Sequence, residues 1–181
     1  MQPAYRLSRR KFLQAATVAA ATFGAGAGCG VGRTPWRFLK VDEARTLAAL
    51  CDQIIPPDQD PGAAWAGVVN YIDKQLCGPL MHLRDTYRFG ISSVNACSRK
   101  LYSADFAECA STKQAELLTL MENGRAPREA WKEVSAQAFF ALVVDQTMQG
   151  FYGDPRHGGN RDAVSWKMLG LAYPPIRGQQ K

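Results

Sequence analysis

From Asp42 onward the apolar residues recur at steps of three and four, the spacing of amphipathic helices, and no alternating strand pattern competes over a convincing length. A first helix is predicted over 42–54. It opens on acids, which suit a helix N-terminus, shows Leu47, Leu50, Cys51 and Ile54 on one face, and stops at Pro56-Pro57. Asp60-Pro61 reads as the cap and first residue of a second helix. Its face is Trp65, Val68, Val69, Ile72 and Leu76, and Gly78 stands just past its end. Pro79 then opens a long third helix to about Tyr102, whose stripe runs Leu80, Leu83, Tyr87, Gly90, Val94, Cys97, Leu101. Such a seam must pack on other helices, and Gly90 within it marks either a close helix approach or a weak point.

Further on, Phe106 is expected to plug a core edge from a loop. Ser111-Thr112-Lys113-Gln114 reads as a capping box, leading through Leu117, Leu118 and Met121 to Gly124. Pro127 opens the last long helix, to about Gln149, with Trp131, Val134, Ala138, Leu142 and Val143, and a short final helix is predicted near 162–169. The fold class is therefore all-α, a single-domain bundle of about five to six helices over 41–181.

Upstream the pattern changes. Ser8-Arg9-Arg10-Lys11-Phe12-Leu13 places two arginines ahead of a run, Phe12 to Gly28, that is Ala- and Gly-rich and holds no Leu or Ile after Leu13. A charged head, a weakly apolar middle and a small-residue tail are the layout of a twin-arginine export signal, here Arg9, Arg10, Phe12 and Leu13 within residues 1–27. A membrane span needs about 20 strongly apolar residues, and this run is shorter and diluted. A linker over 28–40 follows. Ala25-Gly26-Ala27 offers a cleavage site, and Cys29 behind it resembles a lipobox only weakly, because Gly26 stands where Leu is expected. The twin-arginine route carries folded proteins, so either this chain or something bound to it folds before export.

The leader also changes the meaning of the charge. Of the 22 basic residues, Arg6, Arg9, Arg10 and Lys11 lie in it, leaving 18 against 16 acids, a net +2. A nucleic-acid partner loses its main support. Export permits disulfides. Cys77 and Cys97 are too far apart along one helix to pair; Cys97 with Cys109, or Cys51 with Cys97, is geometrically allowed, and Cys77 is left as a free or intersubunit thiol or a small buried residue. No Cys-x-x-Cys spacing offers zinc, iron–sulfur or c-type haem attachment.

The densest polar segment runs from Gly150 to Asp162. A catalytic reading would make His157 a base oriented by Asp154 or Asp162, but no nucleophile, metal triad or second nearby histidine accompanies it, and His82 lies in a different helix. A structural reading makes it a rigid loop with Asp or Asn capping the last helix and Arg161 paired to a carboxylate. A third reading uses that rigidity to present Phe151, Tyr152, Asp154, Arg156, His157, Asn160, Arg161, Asp162 and Trp166 to a partner, several of them residue types favoured at binding hot spots. A standalone metal- or haem-binding protein using His82, His157 and methionines has no ligand spacing behind it. A dehydrogenase in its own right lacks a dinucleotide-binding strand–turn–helix.

Three stretches resemble the gluconate 2-dehydrogenase subunit 3 family: Leu47-Ala-Ala-Leu-Cys-Asp-Gln-Ile-Ile-Pro-Pro, the segment opening Pro61-Gly-Ala, and Gly150-Phe-Tyr-Gly-Asp-Pro-Arg-His-Gly-Gly-Asn-Arg-Asp. The resemblance covers most of 42–170. His157 stands where Tyr is common, Ser165 where Gly is common, and Leu171-Ala-Tyr-Pro-Pro replaces the usual Phe-Pro-Gly. The resemblance implies a small exported subunit, itself without cofactor. Its partner would be a glucose–methanol–choline-type (GMC) flavoprotein that holds FAD and oxidises a sugar, sugar acid or polyol, often with a multihaem cytochrome c. The expected location is the periplasm, at the cytoplasmic membrane through the complex, reached by the twin-arginine translocase.

Overall fold

The computed structural model describes residues 35–171. The chain divides into Met1–Arg33 and Thr34–Lys181. The first unit, and with it Arg9, Arg10, Phe12, Leu13 and Cys29, lies outside the described residues. Among those described there are six α-helices and no strand: α1 (Val41–Ile54), α2 (Val68–Leu76), α3 (Arg84–Tyr102), α4 (Ser111–Glu122), α5 (Ala136–Tyr152) and α6 (Val164–Met168). None is long and apolar enough to cross a membrane.

Helix α5 organises the bundle, packing on α1, α2, α3 and α4. Its sequence carries a single charge, Asp145, so most of its circumference can be buried without stranding an ion. Ser135 caps it, accepting a hydrogen bond from Ala138 N at 3.0 Å. Phe139 and Phe151 of α5 are fully buried beside Tyr87, Phe106, Leu47 and Leu50. Tyr87 meets Phe139 edge to face, with centroids 5.9 Å apart. Gly90 is the close approach: a Cβ there would lie 2.3 Å from the Phe139 ring.

Four sequence expectations shift. The second helix begins at Val68 rather than Pro61, because Gly67 takes φ 80 and interrupts it, and Trp65 is 45 % exposed instead of on the core face. Ser111 is the first helical residue of α4, with Ala110 at the cap and no side-chain cap bond. Ser111 Oγ instead accepts from Gln53 Nε2, and Gln114 Nε2 donates to Phe106 O. The segment after Pro127 forms only a 3₁₀ turn, Arg128–Ala130, before α5 starts at Ala136. On α3, Leu101 is exposed and Ser98 is buried in its place.

The pairing of Cys97 with Cys109 is corrected as well, since all four described cysteines are free. Cys97 is buried and receives the Trp131 Nε1–H at 3.2 Å, while Cys109 Sγ lies 3.2 Å from Ser98 Oγ. Neighbours on a helix point about 100° apart, so a residue brought against Ser98 stands off Cys97. Cys51 is equally engaged, accepting from Thr147 Oγ1 at 3.3 Å inside the core.

The described chain enters the fold through one buried carboxylate. Asp73 of α2, 1 % exposed, accepts three backbone hydrogen bonds, from Arg37 N (2.7 Å), Phe38 N (2.9 Å) and Leu39 N (2.9 Å). The Phe38 ring lies near the guanidinium groups of Arg84 and Arg88, 5.1 and 4.5 Å from its centroid.

Candidate functional site: the loop after α5

After Tyr152 the chain folds back over the start of α2. Two contacts fix its height. Asn70 Nδ2 donates to Gly158 O at 2.7 Å, and Arg161 N donates to Ala66 O at 2.9 Å. The approach is tight enough that a Cβ on Gly159 would stand 2.0 Å from Gly150 O, which explains the Gly-Gly pair in this segment.

Asn160 closes the loop from inside. It has no exposed surface; its Nδ2 donates to Gly153 O at 2.8 Å and its Oδ1 accepts from Ser165 N at 3.0 Å. Its backbone is left-handed (φ 44), as are those of Asp162 (φ 56) and Ala163 (φ 54). Asn and Asp tolerate this region better than other L residues, Ala poorly. Such residues each cost about 1–3 kcal/mol and persist where their surroundings over-determine them.

On the solvent side, Asp154 accepts from Arg156 N (2.9 Å), and both Nε (3.0 Å) and Nη2 (2.6 Å) of Arg156 reach its carboxylate. These side-chain bonds first, and the backbone N–H second, hold the Asp154 carboxyl down at about 2. Trp166 Nε1 donates to Tyr152 O at 2.9 Å, which ties α6 to the end of α5. The Arg161 guanidinium stands 5.4 Å from the Trp65 ring centroid.

The structure therefore gathers the residues that the sequence singled out and sorts them. Tyr152, Arg156, His157, Arg161 and Asp162 are exposed, and Asp154 and Trp166 are half-buried. Phe151 and Asn160 are fully buried, so their expected place at a partner interface is corrected: they hold the loop and cannot touch anything outside it. Trp65 and Asn70 were missed. The two glycines around Ala63-Ala-Trp-Ala, at 62 and 67, were the available sign that Trp65 is not on a regular helix.

What this surface can do is present aromatic rings, guanidinium groups and carboxylates on a prearranged backbone. His157 lies in the loop and His82 in the 3₁₀ turn Met81–Leu83, and among the described residues no group of three His, Cys, Asp or Glu converges as a metal site. Neither the curated proteins nor the solved structures contain a match to this chain. A family model does match, over residues 41–172, from the start of α1 to just beyond the loop and α6. That span takes in nearly every element described, and the chain belongs to the gluconate 2-dehydrogenase subunit 3 family, a subunit of a dehydrogenase complex.

Proposed function

We propose that this chain is the non-catalytic small subunit of a periplasmic FAD-dependent dehydrogenase of the glucose–methanol–choline type, acting on a sugar, sugar acid or polyol. It binds the folded flavoprotein, stabilises it, and carries it through the twin-arginine translocase on its own leader; FAD stays in the large subunit and haem c in a third. Family membership supports the accessory role, and Ser8-Arg9-Arg10-Lys11-Phe12-Leu13 supports the escort.

The observation that carries the reading is the preformed loop. Three left-handed non-glycine residues within four positions, Asn160, Asp162 and Ala163, are a local expense that a mere connection between α5 and α6 does not need. Their effect is to hold exposed Tyr152, Arg161 and Asp162 in one arrangement before any partner arrives, which lowers the ordering cost of binding.

Co-expression with the flavoprotein tests the escort. Deleting residues 1–27 is expected to leave dehydrogenase activity in the cytoplasm, and normal export of the flavoprotein alongside the leaderless chain would end the claim. A purified mature chain that oxidised an alcohol substrate unaided would end the non-catalytic assignment.

A further inference from the structure

Outside the loop, the described residues leave an apolar strip on α5 exposed. Although α5 is central, the face carrying Phe140, Ala141, Val144, Met148 and Tyr152 looks outward, at helical steps of three and four. Phe140 and Val144 are half-buried, while Met148 and Tyr152 are 43 % and 39 % exposed. From Gln137 to Tyr152 the strip is about 22 Å long at 1.5 Å per residue, the length of about four helical turns. The C-terminal end of α4 forms its wall through Glu122.

The charges at its edge have one sign. Among the described residues Glu122 and Asp145 are the ionisable groups lining the groove, and no described Lys or Arg lines it. Among the described residues neither acid forms an ion pair; Asp145 accepts only from the amides of Gln146 (3.1 Å) and Gln149 (2.8 Å). This acidic rim sits on a domain whose charge without the leader is +2, so it runs against the balance of the rest. An apolar groove with acids at its edge is complementary to an apolar stripe with cations beside it.

We propose that the outer face of α5 is a second docking groove, which receives an amphipathic helix with Lys or Arg flanking its apolar stripe, supplied by the partner subunit. The proposal rests on the accessory-subunit reading for the origin of that helix. It adds to the loop a neighbouring surface, because Tyr152 ends the strip and also receives the Trp166 hydrogen bond.

The probe is a pair of labelled synthetic helices of about 18 residues, alike in a Leu stripe at i, i+3, i+4, i+7 but flanked by Lys in one and by Glu in the other. Each is titrated into the full chain by fluorescence anisotropy. The Lys-flanked peptide is expected to saturate, on the order of tenfold tighter than the Glu-flanked one, with the difference shrinking as salt rises from about 0.05 M to about 0.5 M. Ala141→Glu removes binding of both peptides, and Glu122→Lys with Asp145→Lys inverts the preference; both alter exposed positions and leave the melting temperature in place. Equal binding of the two peptides, no binding, or binding untouched by Ala141→Glu overturns the proposal. Two results give the groove to another occupant and overturn it likewise: self-association that buries α5, or binding that emerges only when residues 172–181 are removed. The assay contains no dehydrogenase, so its failure is separate from a failure of the export test.

Discussion

A Cβ placed on Gly90 of α3 would stand 2.3 Å from the Phe139 ring of α5, so backbone and aromatic face touch with no side chain between them. Phe139 has no room to yield, since it is fully buried with Tyr87 edge-on and Trp131 at 6.1 Å. In a free helix Gly90→Ala would gain about 1 kcal/mol of propensity. Here overpacking, about 1–3 kcal/mol, outweighs it, and the substitution is expected to lower the urea midpoint with the slope unchanged. Gly90→Ala combined with Phe139→Leu should recover part of the loss, and strictly additive losses would argue that the two residues do not meet.

This contact shows what the sequence could and could not convey. The three- and four-residue steps marked the face of α1 and, apart from Leu101, that of α3, because burial of an apolar stripe has no alternative in water. The face of α5 was misread: Trp131 and Val134 precede the helix, Ala138 is exposed, and Phe139, Val143 and Phe151 are buried. A helix apolar on most sides offers no clear stripe to read. Gly90 was recognisable as special, yet the choice between close approach and weak point needed the facing residue, and Phe139 lies 49 positions away. The start of α2 was misplaced for a related reason. Pro61 suits a helix start, but the loop after α5 occupies that region, through Arg161 N on Ala66 O and Gly158 O on Asn70. The loop was recognisable as rigid from its glycines and Asn/Asp content. Which of its residues face inward was not, because an irregular backbone has no period from which to read burial.

Asp73 supplies a second prediction. Three backbone N–H groups converge on one buried carboxylate, and hydrogen bonds to a charged acceptor contribute about 1.5–3 kcal/mol each at most. Asp73→Ala leaves all three donors without their acceptor and is expected to cost at least about 2 kcal/mol. Asp73→Asn keeps one acceptor oxygen and should cost less. Amide exchange gives the check: Arg37, Phe38 and Leu39 should lose protection before the core amides of α5 do, and unchanged protection at those three would remove Asp73 as the anchor.

Asn160 separates strain from hydrogen bonding. Asn160→Gly relieves the left-handed backbone (φ 44) but loses the bonds to Gly153 O and Ser165 N. Asn160→Ala loses the bonds and keeps the strain. The alanine variant should therefore be less stable than the glycine variant, by about 1 kcal/mol, and both should fall below the parent. Chemical denaturation orders the three. If loop geometry matters for docking, both variants also retain less co-purified flavoprotein than a surface control such as Lys132→Ala, whose side chain is exposed.

The cysteines predict a labelling pattern. Burial pushes the Cys51 thiol up to about 12 and raises that of Cys97, where the Trp131 N–H works in the opposite direction. Thiolates are the reactive form, and both sulfurs are also enclosed. Iodoacetamide at about pH 8 should modify the partly exposed Cys77 and Cys109 in the folded chain and reach Cys51 and Cys97 only after denaturant. A Cys97–Cys109 peptide in a non-reducing digest would contradict the free thiols described above.

Asp154 makes the pH dependence of the loop specific. Its carboxyl is held at about 2 by Arg156, below the usual carboxylate value of about 3.9. The folded loop therefore takes up its proton less readily than the unfolded chain. The contribution is complete above about pH 4 and is lost as pH falls through about 2. Asp52 acts with the opposite sign: burial raises its pKa, partly offset by the Ala64 N–H, so the folded state holds that proton more tightly and acidification favours folding at this one site. A global acid melt mixes the two, and a site-resolved titration does not. The Asp154 side-chain carbon should titrate near 2 in the parent. In Arg156→Gln, which removes the guanidinium but keeps the backbone N–H of residue 156, its midpoint should move upward toward the usual range. A parent midpoint already at the usual value would show that the Asp154–Arg156 pair does not persist in solution, and the loop's solvent face would then have to be ordered by Asn160 and Trp166 alone.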